Sequence, residues 1–128
     1  MGWGMKKIFF AVFVSVFVLP MAWAELVADP DRIDFDGVAV GQDEEETIEL
    51  INDGDRMIYD IEIDVVHNRH VFSYFDNCPD KLFPGDSCDV DVRFEPNQKK
   101  KYRDELDVDY RDGGSHEQLW IDLEGEGL

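Results

Sequence analysis

Beyond residue 24 this sequence has no stretch of useful length in which apolar residues recur at helical spacing. That excludes a fold built on amphipathic helices. There is no G-x-S-x-G segment, and with both cysteines expected to be paired the usual nucleophile signatures are missing. Acidic loops of the D-x-D-x-D-G type are absent too, and with them the common calcium cradle. Lysine and arginine are scarce. They number 12 against 30 aspartates and glutamates, for a formal charge of −18. Such a surface repels nucleic acid and anionic membrane, because attraction to phosphate needs clustered cations.

What is present begins with a leader. Lys6 and Lys7 precede an apolar run over residues 8–19, and Ala22-Trp23-Ala24 places small residues around a cleavage point. This is the order of a secretory signal peptide. The run is 12 residues long, short of the ~20 that span a bilayer as a helix. An uncleaved anchor is the competing reading, and Pro20 with the A-x-A pattern weighs against it. No cysteine lies near the cleavage point, which disfavours a lipid anchor. Residues 1–24 are therefore read as a signal peptide and residues 25–128 as one domain, exported to the periplasm or the extracellular space. No stable membrane insertion is expected after cleavage. Removing the leader takes two lysines and no acid, so the charge falls from −18 to −20.

Cysteine usage agrees with export. Cys78 and Cys88 are the whole complement, and in an oxidising compartment such a pair tends to close. Closing a loop this short contributes on the order of 2–3 kcal/mol. Two zinc-binding thiolates would need further ligands at suitable spacing, which the chain lacks.

Along residues 25–128 the dominant pattern is period 2. Residues 25–32 read as an exposed lead-in. Ile33 and Phe35, then Val38 and Val40, suggest two short strand pieces joined by a glycine kink. Ile48 and Leu50 mark a strand closed by Asp53-Gly54, a hairpin signal. In residues 57–65, Met57, Tyr59, Ile61, Ile63 and Val65 alternate with Asp60, Glu62 and Asp64. A short aromatic strand over residues 71–75 precedes the cysteines. Val90, Val92 and Phe94 follow the Pro84-Gly85 turn, then Leu106, Val108 and Tyr110, and after Asp112-Gly113-Gly114 come Leu119, Ile121 and Leu123. About seven strands with turns roughly every 8–12 residues predict an all-β immunoglobulin-like sandwich. Each strand has one apolar and one acidic face, so two sheets stack apolar face to apolar face. Acidic rows on adjacent strands repel, which gives Arg93, Arg103 and Arg111 a reason to interrupt them.

The landmarks resemble the ASH (hydin-like) family of immunoglobulin-like domains, choice-of-anchor D in exported bacterial proteins, akin to major sperm protein and PapD-like sandwiches. The most specific part is C-x(3)-L-x-P-G-x-S-C-x-V-x-V-x-F-x-P from Cys78 to Pro96. Ile33-Asp34-Phe35, Val38 to Gly41, Thr47 to Leu50, Asn52, Gly54, Phe72, Leu123, Gly125 and Gly127 complete it. Two positions depart from the family pattern. Asp36 stands where glycine usually follows the first phenylalanine, and Lys99-Lys100-Lys101 replace a glycine beyond Pro96. The resemblance implies a non-catalytic binding or scaffolding module.

Several residues invite chemistry, each beside a plainer explanation. The carboxylate rows suit a hard cation, yet a solvated acidic face explains them better. His67 and His70 form an H-x-x-H pair without a third ligand nearby in sequence, so no metal site is expected. Lys99, Lys100 and Lys101 are the basic run of an acidic molecule: a docking point for an acidic partner or for a neighbouring copy of the chain, though solvated lysines explain them better. Parity turns Trp120 outward on the last strand. There it marks a contact surface or packs under a neighbouring loop, with equal weight. No catalytic residue and no cofactor is expected. The function so indicated is a non-enzymatic interaction or structural module of the cell envelope that binds another envelope or extracellular protein. The alternative is a calcium- or carbohydrate-binding module using the acidic surface. A charge this one-sided destabilises the compact state through self-repulsion, and salt screens it beyond a Debye length of roughly 8 Å at physiological ionic strength. Added NaCl is expected to raise the melting temperature; a flat or falling melting curve up to molar NaCl would contradict that.

Overall fold

The computed structural model describes residues 25–128, so the leader reading lies outside the described residues. Nine strands succeed one another there: β1 Leu26–Asp29, β2 Arg32–Val38, β3 Glu44–Asn52, β4 Ile58–Val65, β5 Phe72–Asp76, β6 Lys81–Leu82, β7 Ser87–Phe94, β8 Lys101–Asp112 and β9 Ser115–Gly127. They make two sheets, ordered β1-β3-β7-β5 and β2-β9-β8-β4-β6. Neighbours are antiparallel except β2, which runs parallel to β9. The architecture is the all-β immunoglobulin-like sandwich that the alternation predicts, with nine strands in place of about seven.

The apolar faces meet as expected. Ile48 and Leu50 of β3, Val90, Val92 and Phe94 of β7, Leu106 and Val108 of β8, and Ile121 and Leu123 of β9 are all buried. At one end the layers are joined by aromatic rings. Phe94 of β7 has Phe72 of β5 at 5.0 Å, Phe35 of β2 at 5.4 Å and Tyr102 of β8 at 5.8 Å between centroids. Two of these rings come from each sheet. Room for Phe94 is made by Gly125 on β9, where a Cβ would lie 2.5 Å from the ring.

The ends of the sheets depart from the sequence reading in four places. The lead-in is a strand: β1 pairs with the last four residues of β3, and Leu26 is buried. The two pieces around Gly37 are one strand, β2, with a register shift between Asp34 and Gly37, and Val40 lies beyond it. Asp36 itself takes the left-handed conformation, φ 58°, while its N–H donates to the Asp34 carboxylate at 2.8 Å. Asp-type residues tolerate that region better than most. Asp53-Gly54 does not close a hairpin, because β3 and β4 lie in different sheets. There the side chain of Asn52, fully buried, donates to the carbonyls of Arg56 and Leu82 and accepts from Gly54 N–H. It thus carries the chain across the gap without an unpaired polar group. Finally, a bulge shifts β4 between Tyr59 and Glu62, with Asp60 at φ 54°. Parity therefore breaks, and Ile58, not Met57 or Tyr59, enters the core.

Asp112-Gly113-Gly114 does close a hairpin. Asp112 faces Ser115, and both central glycines have positive φ, 57° and 93°. That is the two-residue loop whose twist suits antiparallel strands. Cys78 and Cys88 are bonded, ten residues apart, and the bond ties the chain just after β5 to the start of β7.

Gly125→Ala is expected to lower stability by about 1–3 kcal/mol, the usual effect of overpacking. Urea denaturation measures it, and an unchanged midpoint would show that Phe94 can move aside.

Candidate binding surface

The outer face of the five-stranded sheet is set by register. On β8 the residues not in the core are Lys101, Arg103, Glu105, Asp107, Asp109 and Arg111. On β4, Asp64 stands opposite Asp107 and Glu62 opposite Asp109. On β9, Trp120 stands opposite Asp107, Gln118 opposite Asp109 and Asp122 opposite Glu105. Trp120 is 55% exposed and so points outward, as its parity predicts. A row Trp120, Asp107, Asp64 therefore crosses three neighbouring strands.

Acid facing acid across a ladder has an electrostatic consequence. One carboxylate oxygen each of Asp107 and Asp109 is shielded from water without a hydrogen-bond partner among the described residues. Partial desolvation, then the charges of Asp109, Asp64 and Glu105, push the Asp107 carboxyl above its ordinary range, and His116 opposes them. The three arginines expected to break the acidic rows do so. Arg93 bonds Asp43 at 2.6 Å, Arg103 lies 3.5 Å from Glu124 and Arg111 3.7 Å from Asp60. These pairs are exposed, so each contributes little, about 0–1 kcal/mol.

The edge of the four-stranded sheet adjoins this face. Beyond the bulge, β4 is uncovered, since β6 pairs only with Ile58 and Tyr59. The neighbouring strand across the mouth of the sandwich is β5. Tyr74 of β5 bridges the gap, its hydroxyl donating to the carbonyl of Ile63. Burial, then Asp64 and Asp76, raise the Tyr74 phenol, against Arg69. A groove of about 530 Å³ opens here, lined by Glu62, Asp64, Tyr74, Asp76, Asp107 and Asp109 among others.

The other sequence candidates fall elsewhere. Lys99 and Lys100 are exposed in the bend before β8 and Lys101 is exposed at its first position, with the Lys100 ammonium 5.0 Å over the Tyr102 ring. Lys101 pairs with Glu126, six positions along β8 from the Asp107–Trp120 pair, so these lysines and Trp120 do not share one patch. The residue 67–70 loop is organised by a carboxylate that sequence reasoning overlooked. Asp104 sits on the core side of β8, buried, and accepts the N–H groups of His67, Asn68 and Glu105. Its place in the Tyr102-Asp104-Leu106 alternation was the available signal. Among the described residues no group of three or more His, Cys, Asp or Glu side chains converges to hold a metal ion.

Comparison with known proteins places the fold in a family. The family model described as HYDIN/CFA65/VesB-like, Ig-like domain matches residues 24–126. The human CEP192 ASH/PapD-like domain (PapD-like domain 7) superposes with a TM-score of 0.65 at 17% identity, covering 92% of this chain and 97% of that one. The Vibrio cholerae VesB protease superposes with a TM-score of 0.65 at 16% identity, over 79% of this chain but only 31% of the protease. A chain of the CsuC–CsuE chaperone–tip adhesion subunit pre-assembly complex of Acinetobacter baumannii gives 0.56 at 15% identity, over 81% and 57%. Identities this low speak to fold alone. No protein of curated function matches the sequence.

The raised Asp107 carboxyl has a definite sign. A group whose folded pKa lies above its unfolded value favours the protonated folded state, so its contribution is present at low pH. It is lost as pH rises through the folded pKa. Asp107→Asn is therefore expected to raise the melting temperature at pH 7, with the gain shrinking as pH falls through the acid range. Thermal melts of both proteins between pH 3 and pH 7 check this, and a gain that grows toward low pH would contradict it.

Proposed function

Since the chain belongs to the HYDIN/CFA65/VesB-like, Ig-like domain family, we propose that it is an exported, non-enzymatic module of the cell envelope that binds another protein. Residues 1–24 direct export and residues 25–128 are the working domain. The observation that carries the reading is Trp120, a large aromatic more than half exposed on the outer face of β9, opposite Asp107 of β8 and just beyond the end of β2. Its cross-strand partner is a carboxylate, Asp107. Exposed tryptophan is enriched where binding energy concentrates, and no rule of packing requires one at this position. The bonded Cys78–Cys88 pair supports an oxidising compartment. The fold is shared with a chain of a chaperone–tip adhesion subunit pre-assembly complex, which supports a protein as the partner.

The grooves on this face are open and bordered by acids that repel one another. Their linings hold carboxylates, with His67 and Arg103 in one of them, and no serine or cysteine nucleophile. Nothing in them favours catalysis over contact.

Trp120→Ala is expected to leave the melting temperature within a few degrees of wild type, since the side chain stands outside the core. It is expected to abolish or strongly reduce affinity capture of a partner from envelope extract. A large loss of stability would mean that Trp120 is structural. Undiminished capture would remove it from the contact surface.

A further inference from the structure

We infer that the open edge of β5 is a strand-addition site for an extended segment of another protein with Lys or Arg at alternate positions and apolar residues between. The inference rests on the protein-binding reading above and adds where and what the chain binds. It starts from backbone geometry. β5 is the last strand of its sheet, and Asn77 N–H donates to Asp89 O while Glu95 N–H donates to Val71 O. Odd-numbered residues of β5 therefore bond to β7. The even-numbered ones, Phe72, Tyr74 and Asp76, turn their N–H and C=O groups to the open side. Phe72 N–H is taken by Asn68 O. The amide and carbonyl of Tyr74 and the amide of Asp76 face no strand. Edges like this are commonly blunted by charge, bulges or cover; β5 instead displays Phe75, 72% exposed.

The side chains select the occupant. A strand laid beside β5 would project alternate residues the same way as Tyr74 and Asp76, into the mouth of the sandwich. That mouth opens over the uncovered edge of β4 onto the groove bordered by Asp64, Asp76, Asp107 and Asp109, where burial first and then the acidic neighbours raise Asp107. Cations there would relieve the repulsion. The intervening residues would lie over Phe75 and prefer to be apolar. Arg69 is the basic side chain at this mouth, and it is engaged with Asp64. A second copy of the chain is the wrong partner, because edge-to-edge pairing would set acids against acids.

The test uses the nitrogen-15-labelled protein and two synthetic peptides, one alternating lysine with valine and one alternating glutamate with valine. Hydrogen exchange at the Tyr74 and Asp76 amides is expected to slow about tenfold when the lysine peptide is present at ten times its Kd. The glutamate peptide should give no protection. The double variant Asp107→Asn, Asp109→Asn should weaken the lysine peptide by about threefold to tenfold, in line with partly exposed ion pairs, and its folding is checked by the same amide spectrum. Unprotected Tyr74 and Asp76 amides would overturn the proposal, as would equal protection by both peptides. Protection that grows with protein concentration and needs no peptide would assign the edge to self-association instead. If a partner is still captured through Trp120 while these amides stay unprotected, the strand-addition site falls and the binding module stands.

Discussion

The contact on which the rest of this structure depends is that of the Phe94 ring with Gly125 across the two sheets. Phe94 comes from the four-stranded sheet, and Gly125 is the gap in the five-stranded sheet that receives it. The rings of Phe35, Phe72 and Tyr102 close around the same point. Interiors pack at crystal-like density, so a ring of this size needs a matching absence opposite. That absence explains a glycine inside a long strand, where glycine otherwise weakens pairing. It also sets how β7 and β9 face each other, and with them which residues of β8 and β9 look outward.

From that arrangement the electrostatics follow. With every apolar face turned inward, the acids are left on the outside of both layers, opposite one another across the ladders. The molecule relieves this in part through arginines placed in the rows, each with an acidic partner. Around Asp64, Asp107 and Asp109 the relief is incomplete. A face that holds unrelieved negative charge beside an exposed tryptophan and an uncovered strand edge is stable enough to exist and better satisfied when something cationic covers it. On the proposed reading, stability and binding are coupled through the same few carboxylates.

Much of this was legible in the chain because period 2 is a strong signal wherever one face is buried and the other charged. β7 and β8 obey it throughout, β3 from Ile48 and β9 from Leu119 onward, and the outward turn of Trp120 follows from Ile121 and Leu123 alone. The glycine hairpin at residues 113–114 was readable for the same reason: two adjacent glycines permit a turn that few other residues do. What was not legible lies where polar side chains replace backbone pairing. β1 is too short to show a period. β6 is two residues long and exists because Asn52 and the neighbouring turn hold it in place. The β4 bulge depends on Asp60 adopting a conformation that a glycine would have announced. Asp104 looks like one more surface acid until the fold brings the residue 67–70 loop over it. The edge of β5 became visible only once the sheet order was known.

The most direct measurement of the central contact is the nuclear Overhauser pattern of the Phe94 ring protons in the folded protein. Cross-peaks to the α-protons of Gly125 and to the rings of both Phe35 and Tyr102 are expected, since these come from the opposite sheet. A Phe94 ring showing cross-peaks only to β3, β5 and β7 would mean that the layers do not meet there, and the arrangement of the outer faces derived from it would be wrong.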